Sequence, residues 1–388
     1  MRNEELRMFR KILLGVIIIC LVAGFATAQQ HWWYTLERGK QYFRDGSFGD
    51  ALVTFEDARR DRAAYFTRLE QDFILFLSDP NVRPLENSLD FIEMYIALNY
   101  EAAAAAALAE LYHRFPRVEL GDSALRALEE LDRLKFYPEA EYWLGEAYRM
   151  EGELALALRH YERAFQQRAL LENPGFEIEI LYRIVEVHRF RQEYQEMDRR
   201  AREIIEGTGP DGTPRDMFWA RTSTQTTSPM TQMRVAMTRI LENEGINHFL
   251  TLYRHNNLIS ERAHRFLGFF YNATGRHLTA AEHLLFAFLI QNTVLIEEAI
   301  RHEFDFTYTT LEDLIVFINT RPALLAFTED VEYHRTIFNL AISLHATGRT
   351  LPAMQLWTFL ASNANAGEWG ARARANPTPY IERALELP

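Results

Sequence analysis

Thiol and ammonium chemistry are almost missing from this sequence, which has one cysteine, Cys20, and three lysines, Lys11, Lys40 and Lys135, among its 42 basic residues. Cys20 lies in an apolar N-terminal run, so the rest of the chain has neither a disulfide framework nor a thiol nucleophile. The arginine bias points to a GC-rich genome rather than to phosphate recognition. The net charge is −12, and a chain that acidic is a poor non-specific binder of nucleic acid. Catalytic signatures are missing too. His302-Glu303 has no second histidine at metalloprotease spacing, there is no GxSxG, no P-loop and no Cys/His cluster, and the twelve histidines are scattered. No metal and no cofactor is expected, and the chain is expected not to be an enzyme.

Glycine (18) and proline (13) are also sparse, and they cluster between apolar-periodic segments filled by Ala, Leu, Glu and Arg. That is the vocabulary of helices. With 48% hydrophobic and 13% aromatic residues the 388-residue chain is far from a disordered composition.

At the N-terminus Arg2, Arg7, Arg10 and Lys11 precede the apolar run Ile12–Phe25, followed by Ala26-Thr27-Ala28 and polar Gln29-Gln30. This is the order of a secretory signal peptide, expected over 1–28. The alternative is an uncleaved inner-membrane anchor, since the stretch to Ala28 nears the roughly 17–25 residues that span a bilayer. Ile17-Ile18-Ile19 before Cys20 do not supply the small residue that lipid attachment wants. Without residues 1–28 the chain keeps 38 basic and 52 acidic residues, a net charge of −14.

The rest of the chain repeats. From Gly39 the residues at offsets 3, 7, 9, 12, 16 and 19 are Tyr42, Gly46, Phe48, Ala51, Phe55 and Ala58. From Gly145 they are Tyr148, Gly152, Leu154, Ala157, Tyr161 and Ala164; from Gly268 they are Tyr271, Gly275, His277, Ala280, Leu284 and Ala287. Small residues where two helices cross, a bulky residue beside them and a glycine at the turn describe an αα-hairpin. Weaker copies start at Ala341, with Gly348, Ala353 and Trp357, and at Val185, with Gln192, Met197 and Ala201. Another lies around Phe91, Tyr95, Ala104, Leu108, Leu111 and Pro116, and a helix over 121–135 has no clear partner.

These units resemble the tetratricopeptide repeat (TPR), whose signature is a Leu-Gly pair, an aromatic, a turn glycine, then Ala, a bulky residue and Ala in about 34 residues. The resemblance covers 32–65, 84–117, 138–206, 261–292 and 334–366. It implies an all-α fold, an α-α solenoid of TPR-like helical hairpins. The Gly/Pro and Ser/Thr-rich stretch 207–229 reads as a linker or long loop, between an N-terminal half, 29–206, and a C-terminal half, 230–388, which opens on Met230, Met233, Met237, Ile240 and Leu241. Whether the halves form one superhelix stays open.

In such solenoids the first helix of each hairpin faces a binding groove. The corresponding positions are Glu139, Tyr142, Glu146 and Arg149 in one unit and Glu179, Tyr182, Glu186 and Arg189 in the next, the same four residue types. They read either as a tyrosine strip flanked by charge that holds an extended peptide, or as ordinary i,i+3 pairs of about 0.2–0.5 kcal/mol with tyrosines packed between helices. The C-terminal half offers Arg262, Arg265 and Phe269, then Arg335 and Phe338, a basic and aromatic set that does not match the Lys/Asn carboxylate clamp of some family members.

The resemblance thus implies a non-catalytic scaffold that binds a protein or peptide partner, with no nucleic acid, in association with envelope membrane complexes of a bacterium, exported to the periplasm or cell envelope. Two alternatives are a ligand-binding accessory protein of a transporter, and an envelope glycan hydrolase using the cluster Phe304-Asp305-Phe306 with Glu312-Asp313. Asn272-Ala273-Thr274 is a formal glycosylation sequon that falls at a helix end.

Overall fold

A computed structural model describes residues 31–78, 129, 131–209, 212–223 and 229–375. The expected signal segment and the unit around Phe91–Pro116 lie outside the described residues, as does most of the expected helix over 121–135. Among the described residues all regular elements are helical, as an all-α fold requires, apart from one isolated bridge between Thr208 and Pro214. The helices are α1 Trp32–Arg44, α2 Phe48–Ser78, α3 Pro138–Met150, α4 Leu154–Gln166, α5 Phe176–Phe190, α6 Tyr194–Glu206, α7 Met217–Ser223, α8 Pro229–Leu252, α9 Leu258–Ala273, α10 His277–His302, α11 Leu311–Asn319, α12 Pro322–Asp330, α13 Tyr333–Ala346, α14 Thr350–Ser362 and α15 Gly367–Arg374. They form two compact units, divided within α5 between Ile180 and Leu181.

Five pairs, α1–α2, α3–α4, α5–α6, α9–α10 and α13–α14, are joined by three-residue turns of one design. The middle residue is left-handed in each: Gly46 (φ +78°), Gly152 (+81°), Gln192 (+60°), Gly275 (+73°) and Gly348 (+84°). Its N–H donates to the carbonyl three residues back, and the next N–H donates to the carbonyl five residues back, as from Gly152 to Arg149 (3.1 Å) and from Glu153 to Tyr148 (2.9 Å). This pair of hydrogen bonds satisfies carbonyls that every helix end leaves bare, and it needs a residue that tolerates positive φ. The degenerate unit keeps the geometry with Gln192, although it has lost the glycine.

The second shared feature is the crossing. A Cβ added to Gly39 would fall 2.5 Å from Phe55 Cε1, and one on Gly145 would fall 2.6 Å from Tyr161 Cε1; Gly268 lies as tightly on Leu284. In each case the obstacle is the residue at offset 16, so the missing side chain sets how closely the two helices approach. The spacing between units is irregular in the chain but not in the packing. Gly39 and Gly145 are far apart in sequence, yet α2 packs directly on α3, α6 packs on α9, and α10 packs on α13.

In the first unit one core runs from Trp32 and Leu36 through Phe55 and Phe66 to Leu131, Tyr137 and Leu144. Arg62 is buried beneath it, its Nε donating to the Leu134 carbonyl (2.9 Å) and its guanidinium lying over the Tyr137 ring (4.8 Å). In the second unit α10 is long and apolar enough to cross a membrane by composition alone, but 78% of its apolar window is buried, and it packs against α9 and α13. Its apolarity is that of a central core helix.

The segment 207–229, expected as a linker or long loop, contains α7 and one of the most buried carboxylates of the protein. Asp216 is 0% exposed. One carboxylate oxygen accepts the N–H of Trp219 (2.7 Å) and caps α7; the other accepts Ser260 Oγ (2.5 Å) and pairs with His255 Nε2 (3.0 Å). Composition rich in Gly and Pro hid this, because a capped seven-residue helix with one buried tryptophan, Trp219, is too short to register as a period.

Candidate functional site

In the first unit Tyr142 is 5% exposed and packed edge-on against Phe176 (4.7 Å between ring centroids) and beside Tyr161. Glu146, also buried, accepts the Tyr161 hydroxyl (2.5 Å) and Arg149 (2.8 Å). Glu139 accepts the backbone N–H of Glu172 (2.9 Å), and burial pushes its carboxyl above the ordinary range. Glu179 is half-buried on α5. Rather than an open tyrosine strip, these residues join neighbouring helices: an aromatic ring wedged among two others has little face left for a ligand.

In the second unit the residues assigned to two separate surfaces come together. The Tyr182 hydroxyl donates to the Ile259 carbonyl (2.5 Å) and accepts the Ala263 N–H (3.1 Å), which pins α5 to the first turns of α9. Burial pushes this phenol above its ordinary value. Arg262 lies over the Tyr182 ring (4.5 Å) and donates to Glu186, which also accepts Arg183 (2.9 Å). Arg265 pairs with Glu261 (3.0 Å) and with Glu332; Glu332 also accepts Arg335 (2.8 Å), whose guanidinium covers the Phe269 ring (4.4 Å). Phe269 and Phe338 are buried, the latter against Trp369.

A row of alternating charge therefore runs across α5, α9 and the start of α13. Glu186 of α5 and Arg262 of α9 neutralise each other, as do Arg265 of α9 and Glu332 at the start of α13, because the helices that carry them are neighbours. Two features of the row were invisible in the sequence. Glu332 holds a left-handed backbone (φ +47°), which costs a non-glycine residue about 1–2 kcal/mol. Glu261 is 3% exposed, and burial pushes its carboxyl up despite Arg265 and a hydrogen bond from Gln291 (2.6 Å).

The buried histidines make a second polar cluster. Desolvation opposes the charge on Asp216, yet hydrogen bonds from His255 and Ser260, with the His264 imidazole 3.7 Å away, hold its carboxyl well below the usual range. His264 Nδ1 lies 3.0 Å from His283 Nδ1, and Trp219 stacks on His283. Ser260 Oγ donates to the carboxylate rather than to an imidazole, which differs from the serine–imidazole pair of a nucleophilic serine. Among the described residues no group of three or more His, Cys, Asp or Glu side chains is placed to hold a metal ion.

The acidic cluster considered for hydrolysis is open. Phe304 is 94% exposed and Asp305 is exposed beside it. Hydrogen bonds from Thr309 and Thr310 hold the Asp313 carboxyl down, while Thr310 accepts the Asp313 N–H (3.2 Å) as the cap of α11. A carboxyl held down in this way is the reverse of the raised general acid that glycan hydrolysis uses. Asn272, of the formal sequon, is 0% exposed and donates to Asn339 Oδ1 (3.0 Å).

No family model matches the chain. It is similar to a protein of Treponema pallidum (strain Nichols), described as an uncharacterized protein, with 24% identity over 344 residues that span 88% of each chain. It is also similar to an uncharacterized protein of Borreliella burgdorferi, with 22% identity over 226 residues, 56% of this chain and 69% of the other. The first likeness extends across both units.

Proposed function

We propose that the protein is a TPR-like helical scaffold, exported to the bacterial periplasm or cell envelope and without catalytic activity of its own, that binds a protein or peptide along the first helices of successive hairpins. The observation that carries this reading is the row across α5, α9 and α13. These are the first helices of three hairpins, and Glu186 bonds to Arg262 as Arg265 bonds to Glu332. Their side chains thus form one continuous polar surface fixed by its own ion pairs. Preorganised charge of this kind gives a partner orientation and specificity at little ordering cost.

The solenoid reading is supported by the five matching turns and the three matching crossings, and by the packing of the second helix of one hairpin on the first helix of the next. Export is supported by the charged, apolar and small-residue order of 1–28. Amino-terminal sequencing of the mature protein tests it, with Gln29 expected as the first residue.

The scaffold reading is tested by photo-crosslinking in the native cell. A benzophenone side chain replaces Phe190, 55% exposed at the end of α5, or Val316, 66% exposed on α11 outside the row. A discrete adduct with one protein is expected from position 190 and not from 316, and that protein should bind the purified chain. Identical smears from both positions, or turnover of peptidoglycan fragments by the purified chain, would overturn the proposal.

A further inference from the structure

The row across α5, α9 and α13 is not balanced. Its arginines outnumber its glutamates, in a chain whose net charge is −12. Of these arginines Arg183, Arg262, Arg265 and Arg335 are each paired with a glutamate. Arg189 is not. Its guanidinium lies over the rings of Phe190 (4.8 Å) and Phe266 (5.1 Å), and among the described residues its buried Nε has no hydrogen-bond partner and the side chain makes no ion pair.

An arginine held by aromatic faces keeps its in-plane N–H edge for an acceptor, and that edge matches the two oxygens of a carboxylate. Burial pulls the Arg189 guanidinium below its ordinary value, and the nearby carboxylates of Glu186 and Glu332 do not restore it. Arginine nevertheless stays charged at neutral pH. The result is a half-buried cation whose desolvation the protein leaves uncompensated, next to Phe190, which is 55% exposed. Both deficits are met by one kind of ligand, an anion flanked by an apolar side chain.

We infer that Arg189 is the anchor of a carboxylate-binding site, and that the partner of the row is an acidic peptide segment in which a Glu or Asp carboxylate engages Arg189 while an adjacent apolar residue covers Phe190. The inference rests on the scaffold reading above and narrows it to a chemical class of partner. Charge complementarity selects the occupant: the paired residues of the row hold the helices together, and Arg189 is the cation they leave over.

The test uses the full chain and two fluorescein-labelled decapeptides, one alternating glutamate with leucine and the other glutamine with leucine, read by anisotropy at low ionic strength. The glutamate peptide is expected to bind about tenfold tighter, the ratio that one charge-assisted hydrogen bond supplies. Arg189→Gln should erase that preference and Arg189→Lys should retain part of it, since lysine keeps the charge and loses the fork. Arg60→Gln, which removes an exposed cation on α2, should leave it unchanged. Thermal unfolding of each variant verifies that it is folded. Equal binding of the two peptides, or equal losses in Arg189→Gln and Arg60→Gln, overturns the site. Displacement of the glutamate peptide by millimolar inorganic phosphate overturns the carboxylate assignment in favour of a phosphate. If a specific adduct forms at position 190 but the glutamate preference is absent, the scaffold reading stands and this inference alone fails.

Discussion

Gly145 lies flat against the ring of Tyr161, with room for a hydrogen and none for a methyl group. The same relation joins Gly39 to Phe55 and Gly268 to Leu284, so the hairpin crossing is set by one absent side chain per unit. Gly145→Ala should therefore lower stability by about 1–3 kcal/mol, the usual cost of overpacking a rigid contact. Gly49, on the exposed start of α2, has nothing within 4 Å of its missing Cβ. Gly49→Ala should raise stability by about 0.5 kcal/mol by restricting the unfolded chain. Urea midpoints of the two variants should move in opposite directions, and a common direction would remove the steric account.

Gln192 occupies the left-handed turn position that glycine fills in the other four hairpins. Releasing that strain is worth about 1–2 kcal/mol, less the extra freedom that glycine gives the unfolded chain. Gln192→Gly should accordingly stabilise the second unit by about 0.5–1 kcal/mol. Hydrogen exchange of the Glu193 N–H, which donates to the His188 carbonyl (2.9 Å), should slow with it.

Asp216 ties the cap of α7 to α9, and its carboxyl is held well below the usual range. A depressed carboxyl contributes stability above its unfolded pKa, about 3.9, and loses it as pH falls toward the folded value. Asp216→Asn keeps the shape of the cap but leaves His255 and Ser260 facing a neutral amide, at a cost of about 3–5 kcal/mol for a broken buried pair. The gap between wild type and variant should be full at pH 5 to 7 and narrow below about pH 4. A gap independent of pH down to 2 would show that packing, not charge, is what Asp216 supplies.

His334 on α13 is held neutral by burial, which lowers its pKa to about 4, and its Nε2 is 3.0 Å from Asn363 Nδ2, the donor. Its folded pKa lies below the unfolded value of about 6.5, so its contribution is complete above pH 6.5 and is lost as pH falls from there toward 4. Stability measured across that window should drop by about 2–3 kcal/mol in the wild type, and the part of the slope due to this residue should be absent in His334→Gln.

The hairpins were legible because their determinants are local. The crossing pairs Gly145/Tyr161 and Gly268/Leu284, and the turn glycines, sit at fixed short offsets, so one periodic reading found them, even where Gln192 replaces the glycine. The candidate site was legible only in part. Glu186, Arg189, Arg262, Arg265 and Arg335 were picked out by position within their own repeats, but their mutual pairing was not. Tyr142, Tyr182, Phe269 and Phe338 were read as ligand-facing and are buried, because periodicity identifies the face of a helix and not what covers it.

Sequence alone determined the helical class, the position of each turn and the closeness of each crossing, since these follow from backbone conformation and from residues less than twenty positions apart. The tertiary structure decided what the charges do. Glu186 and Arg262 stand 76 positions apart, and Asp216 and Ser260 stand 44 apart; each pair meets only because α7 and α9 fold back against elements that precede or follow a Gly- and Pro-rich stretch. Whether a charged side chain is a solvated surface group, half of an ion pair or an uncompensated cation such as Arg189 depends on that return of the chain, because the cost and value of charge are set by neighbours and burial.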